Sequence, residues 1–146
     1  MSGSPTIRLA QPGDAQRIAA HRYPDLPEAS EAAQLYAAWL PGAMGRGIYL
    51  GWLTERDGEV VAGAGLTLLE WGPTKDDPQP WRGRVVNVWT HPAHRRRGLA
   101  HQLVGAALAE AEARGIHTVS LGATEMSRPL YEALGFRSYG AEMLRR

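Results

Sequence analysis

RVVNVWTHPAHRRRGLAHQLVGAALAEAEARG, from Arg84 to Gly115, is the stretch from which the rest of the chain is read. Val85-Val86-Asn87-Val88-Trp89-Thr90 is rich in β-branched and aromatic residues, as strands are. Pro92 ends that strand, because proline has no N–H to give to a ladder. From about Arg97 the pattern turns helical. Leu99, Leu103, Ala106, Ala107 and Ala111 recur at helical spacing, while Glu110 and Glu112 lie off that stripe. Arg114 puts a cation in the last turn, and Gly115 can take a left-handed cap. A strand, an arginine-rich turn and a helix start in this order aim unpaired backbone N–H groups, and the positive end of a helix dipole, at one place. Such a place binds anions, phosphate above all.

The chain has 146 residues, which predicts a single domain over 1–146 with a core of its own. It is 44% hydrophobic and 21% charged, so disorder is not expected. No run of apolar residues is long enough for a membrane span, and Met1 to Pro5 lacks the basic start and apolar core of a signal peptide. Without cysteine there is no disulfide framework, thiolate metal site or cysteine nucleophile. The expectation is a cytoplasmic protein. The net charge of +1 conceals an asymmetry, for no Asp or Glu lies between Pro78 and Ala109 while Arg82, Arg84, Arg95, Arg96 and Arg97 do. These arginines cluster in one turn without interleaved aromatics, so nucleic acid is not the expected partner.

Working outward, Thr6 to Ala10 alternates as a strand, and Pro12-Gly13-Asp14 starts a helix to about Arg22 with Ile18 and Ala19 inward. Glu28 to Leu40 is a second helix, with Ala32, Leu35, Tyr36 and Trp39 on one face and Pro41-Gly42 as its end. Ile48 to Thr54 and Val60 to Leu69 form a hairpin about Asp57-Gly58, with Gly63 and Gly65 marking a bulge or a close approach. Gly72 to Gly83 is a long polar loop, the kind that is often mobile or functional. Beyond the central stretch, Ile116 to Leu121 is a strand parallel to the one from Val85 to Thr90 by a helical crossover, and Glu125 to Leu134 a short helix. Phe136 to Tyr139 and Ala141 to Leu144 read as a last strand pair.

Arg95-x-x-Gly98-x-Ala100 resembles the acyl-CoA pyrophosphate loop of the GNAT superfamily of N-acetyltransferases. Leu130-Tyr131-Glu132-x-Leu134-Gly135-Phe136 resembles that superfamily's other hallmark, and it follows the loop in the same order. Asn87-Val88-Trp89-Thr90 and Ala123-Thr124-Glu125, followed by Arg128-Pro129-Leu130-Tyr131, resemble a group of undefined substrate. The likeness covers nearly the whole chain. It implies an α+β fold: a mixed, mostly antiparallel twisted sheet of about six or seven strands, flanked by about four helices and splayed between the fourth and fifth strands.

It also implies acetyl-CoA as cosubstrate, with no metal, and direct transfer of the acetyl group to a primary amine of a small molecule or peptide. The alternative is a non-catalytic acyl-CoA-binding or regulatory module. Homodimers are common in the family. Carried over by motif, Val88, Trp89 and Thr90 hold the pantetheine through backbone groups, with the Trp89 amide as oxyanion donor. Arg95, Arg96, Arg97, Gly98, Leu99 and Ala100 cradle the pyrophosphate, and Ser127 and Arg128 touch the coenzyme. Tyr131 is the general acid for the thiolate. Where several members carry a glutamate base, this chain has Arg84, so Glu70 and His91 are the candidate bases, with Asn87 acting through a water. Trp52, Trp71 and Trp81 are candidates for an aromatic acceptor wall, and each also reads as core.

Overall fold

A computed structural model of the chain describes residues 5–146, so the start read for a signal sequence lies, except for Pro5, outside them. Strands β1 (Thr6–Leu9), β2 (Tyr49–Arg56), β3 (Glu59–Glu70), β4 (Trp81–Thr90) and β5 (Val119–Ser120) form one sheet in that spatial order. Pairing is antiparallel from β1 to β4 and parallel between β4 and β5. The β2–β3 hairpin turns as its Asp-Gly pair requires, with φ of 52° at Asp57 and 81° at Gly58. Helix α1 (Ala15–Arg22), entered through a 3₁₀ turn over Pro12–Asp14, and α2 (Glu31–Gly45) lie on one face. Helices α3 (Leu99–Ala113) and α4 (Arg128–Ala133) lie on the other. Among the described residues, no helix is long and apolar enough to cross a membrane.

The end of α2 differs from expectation. Pro41 and Gly42 sit inside the helix, which runs on because Leu40 and Ala43, both 0% exposed, pack into the core. The stop is Gly47 at φ 73°, where the amides of Gly47 and Ile48 bond the carbonyls of Met44 and Ala43. Gly115 closes α3 and Gly135 closes α4 by the same pair of bonds.

Two apolar layers hold the sheet. Ile18, Ala19, Ala37, Leu40, Tyr49 and Leu53 fill the α1/α2 side, while Leu66, Val85, Leu99, Leu103, Val104 and Tyr131 fill the other. Gly65 is needed for contact: a Cβ there would strike the Tyr49 hydroxyl. The sheet has fewer strands than expected. Residues 136–146 form no strand pair, because β5 pairs over only two residues and offers no edge to extend. Phe136 packs against the core, while Tyr139, Met143 and Leu144 stay in solvent at 78%, 99% and 79% exposure.

The Gly72–Gly83 loop is pinned. Arg82, buried, forms an ion pair with Asp77 at 3.3 Å and donates to the carbonyls of Gln79 and Trp81. The Thr118 hydroxyl donates to Asp77, which holds that carboxyl below its ordinary range. Arg82 therefore belongs to the loop and adds nothing to the positive patch.

Candidate active site

β4 changes character halfway along its length. Gly65 faces Val86 and Gly63 faces Trp89, so Ala64 stands opposite both Asn87 and Val88. This is a β-bulge, and its extra residue is Asn87 at φ 58°, a conformation asparagine tolerates better than most residues. The bulge sends Val86 and Asn87 to the same side of the sheet. Val86 joins the α1/α2 layer, and the Asn87 amide donates to the hydroxyls of Tyr36 (2.8 Å) and Tyr49 (3.0 Å). Its oxygen accepts from Arg22 at 3.1 Å, whose guanidinium lies 4.4 Å from the centre of the Tyr36 ring. Val88 turns to the α3/α4 layer.

On its outer side, β4 is paired to β5 only at Gly83 and Arg84. The edge from Val85 to Thr90 is left without a strand neighbour, the splay expected between the fourth and fifth strands. Backbone groups there can accept an extended ligand as a further strand would.

The chain then runs through a 3₁₀ turn over Pro92–His94, capped where His91 Nδ1 accepts from the Ala93 amide at 3.0 Å. Arg95, Arg96 and Arg97 are exposed, and none enters an ion pair among the described residues. Arg96 at φ 65° and Gly98 at φ 75° both take the left-handed region just before α3 begins. No side chain caps α3, and a Cβ at Gly98 would meet nothing within 4 Å. The uncapped start of α3 therefore faces open space beside these cations, an arrangement suited to an anion. Leu99 is buried and Ala100 half-buried, so these two can contribute only backbone groups.

Tyr131 lies in the apolar layer that also holds Val88, with 7% of its surface exposed. Burial raises its phenol above the ordinary value, so it stays protonated. Its hydroxyl is not among the sealed, unpartnered buried atoms, which are Thr54 Oγ1 and His94 Nδ1. Ser127 and Arg128 come to the same end of the molecule with their polar groups engaged. Ser127 bonds with Thr124, and Arg128 donates to Ser138.

Other candidates are placed elsewhere. Glu70 pairs with Trp81, at the far end of β4 from Trp89, roughly 26 Å along the strand at 3.3 Å per residue. Trp81 shares that end, Trp71 is 65% exposed next to it, and Trp52 is core, so these do not form one wall. His91 is exposed beyond the end of β4.

A second group was not foreseen. The Trp89 indole stacks on the His21 ring at 4.3 Å and 12°, and both line an open cavity of about 450 Å³ with Arg17, Tyr23, Leu26 and Glu28. Burial, with Arg17 adding to it, lowers His21 to a pKa of about 4. Its one signal in the sequence was a place three residues after Ile18, on the inner face of α1.

The sequence matches the model of the acetyltransferase (GNAT) family over residues 15–136. The chain belongs to the GNAT acetyltransferase family. No curated protein matches it. A GCN5-related N-acetyltransferase from Ralstonia eutropha JMP134 is 35% identical, with 98% of each chain covered and a TM-score of 0.83. A predicted acetyltransferase from Clostridium acetobutylicum, solved with acetyl-CoA, is 20% identical over 98% of this chain and 96% of its own, with a TM-score of 0.89. Glucosamine-6-phosphate N-acetyltransferase from Arabidopsis thaliana is 14% identical, covers 99% of each chain and has a TM-score of 0.78. This GNAT chain is accordingly an acyltransferase. The matched span holds the bulge, the arginine turn and Tyr131 together.

Proposed function

We infer that this acetyltransferase moves an acetyl group from acetyl-CoA directly to a primary amine of a small molecule or peptide. The observation that carries it is the unpaired, bulged edge of β4 leading straight into the uncapped start of α3. A thioester with a long polar arm and a pyrophosphate tail needs such an edge for the arm and such an anion site for the tail. Val88, Trp89 and Thr90 hold the arm by backbone groups, and the Trp89 amide stabilises the oxygen as it gains charge. Amides from Arg95 to Ala100 hold the phosphates, with the arginine side chains adding charge. Ser127 and Arg128 border the coenzyme once their present bonds are exchanged. Tyr131, a neutral phenol in an apolar layer, supplies the proton for the leaving thiolate. The solved relative with acetyl-CoA supports the choice of cosubstrate.

Calorimetric titration with acetyl-CoA tests this reading. Micromolar binding is expected, with affinity falling at least about tenfold in Gly98→Asp, which places a carboxylate in the anion site. Equal affinity in that variant would remove the loop assignment. Tight binding without turnover of any amine would favour a non-catalytic acyl-CoA module.

A further inference from the structure

His21 is buried, yet its side chain has no hydrogen-bond partner among the described residues. It lies in the last turn of α1 and is 6% exposed, with its ring parallel to Trp89. Room for it is made on β3, since a Cβ at Gly63 would lie 2.9 Å from Nδ1. Neither ring nitrogen is bonded among the described residues, and neither is among their buried polar atoms sealed from solvent. The ring lines the 450 Å³ cavity beside the strand residue whose amide holds the developing oxyanion. Arg17 on α1 and Tyr23 and Glu28 beyond it are the titratable groups that line this cavity with it. Gly63 on β3 and Trp89 on β4, which pack against the ring, do not titrate.

We propose that His21 is the proton acceptor for the amine substrate, which enters through the cavity between α1, the segment 23–28 and Trp89. This rests on the acetyl-transfer reading above. The amine lone pair forms the C–N bond to the thioester carbon, and the carbonyl electron pair moves onto oxygen at the Trp89 amide. The nitrogen, now cationic, gives its proton to the free lone pair of His21. The C–O double bond re-forms, the C–S bond breaks, and the departing sulfur takes the proton of Tyr131. Water in the cavity removes the proton from His21, and water restores that of Tyr131. The sum is an amide and a thiol.

A weak base serves here because the amine nitrogen becomes far more acidic once bonded to the carbonyl carbon. Held at a pKa of about 4 by burial first and Arg17 second, the imidazole is neutral at neutral pH.

The test compares wild type, His21→Ala and His21→Gln with 2-phenylethylamine, spermidine and glycinamide as amines. Calorimetry with acetyl-CoA should give equal affinities for all three proteins. Both variants should acetylate about 100-fold more slowly. Added imidazole should restore His21→Ala, where the ring has left space, and fail to restore His21→Gln. Independently of turnover, adding amine should shift the His21 ring resonances of the wild type, recognised by their absence from His21→Gln. Wild-type rates in the variants, or slowing that imidazole does not relieve, would each overturn the proposal. Failure of the wild type to bind acetyl-CoA, or binding without acetylation of any amine, would instead remove the underlying reading, and this proposal with it.

Discussion

Tyr131 is a side chain whose packing and proposed chemistry can be separated. Its ring packs edge-on to Phe136 at 6.0 Å, and its carbonyl accepts the Phe136 amide that closes α4. Only the hydroxyl is without a role in the fold, so Tyr131→Phe removes one oxygen and leaves the packing in place. The variant should keep acetyl-CoA affinity within about threefold while kcat falls about 100-fold. A wild-type kcat would take the acid role from Tyr131. At this scale the sequence was legible where a residue sits in a local motif, as Tyr131 does four residues before Gly135. His21 was not, because what sets it apart is contact with Trp89 and Gly63, far away in the chain. The place of Glu70 was hidden for the same reason: chain position said nothing of the register that pairs it with Trp81, far along β4 from Trp89.

The β4 bulge is the element on which the site depends, and one side chain ties it to three neighbours. Asn87 joins α1 through Arg22, α2 through Tyr36 and β2 through Tyr49. Asn87→Ala would lose those bonds and force a Cβ-branched-free but still unfavourable left-handed backbone. Together these should cost about 2 kcal/mol, or roughly 6 °C in Tm. Asn87→Gly keeps the backbone at ease and should lose less. Thermal unfolding of the pair decides the matter, and an Asn87→Ala variant as stable as wild type would mean that the side chain does not hold the bulge. The helix ends were only partly legible. Gly115 was read as a stop and is one, whereas Pro41-Gly42 looked like a stop and is helical, because burial of Leu40 and Ala43 outweighs the local penalty.

For the whole molecule, His21 links stability to acidity. Its folded pKa of about 4 lies below the ordinary 6.5, so the unfolded chain takes up the proton first as pH falls. Stability from this residue is complete above pH 6.5 and is lost as pH drops toward 4, by roughly 3 kcal/mol in all. His94, also lowered by burial, acts in the same direction, so the difference between wild type and His21→Gln isolates His21. Urea unfolding at pH 7.5, 5.5 and 4.5 should show the gap between the two closing or reversing on acidification, and parallel curves would contradict it. What the sequence determined by itself was local: alternation in strands, helical stripes, the Asp-Gly turn, and the spacing of Arg95, Gly98, Ala100 and Tyr131. Each depends on residues within a few positions of one another, where period and backbone preference act directly. Tertiary structure alone decided which strand edge stays open, that residues 136–146 add no strands, that Arg82 pins a loop, and that His21 meets Trp89. Those outcomes turn on contacts between distant segments, whose energies exist only once the chain has closed around both layers.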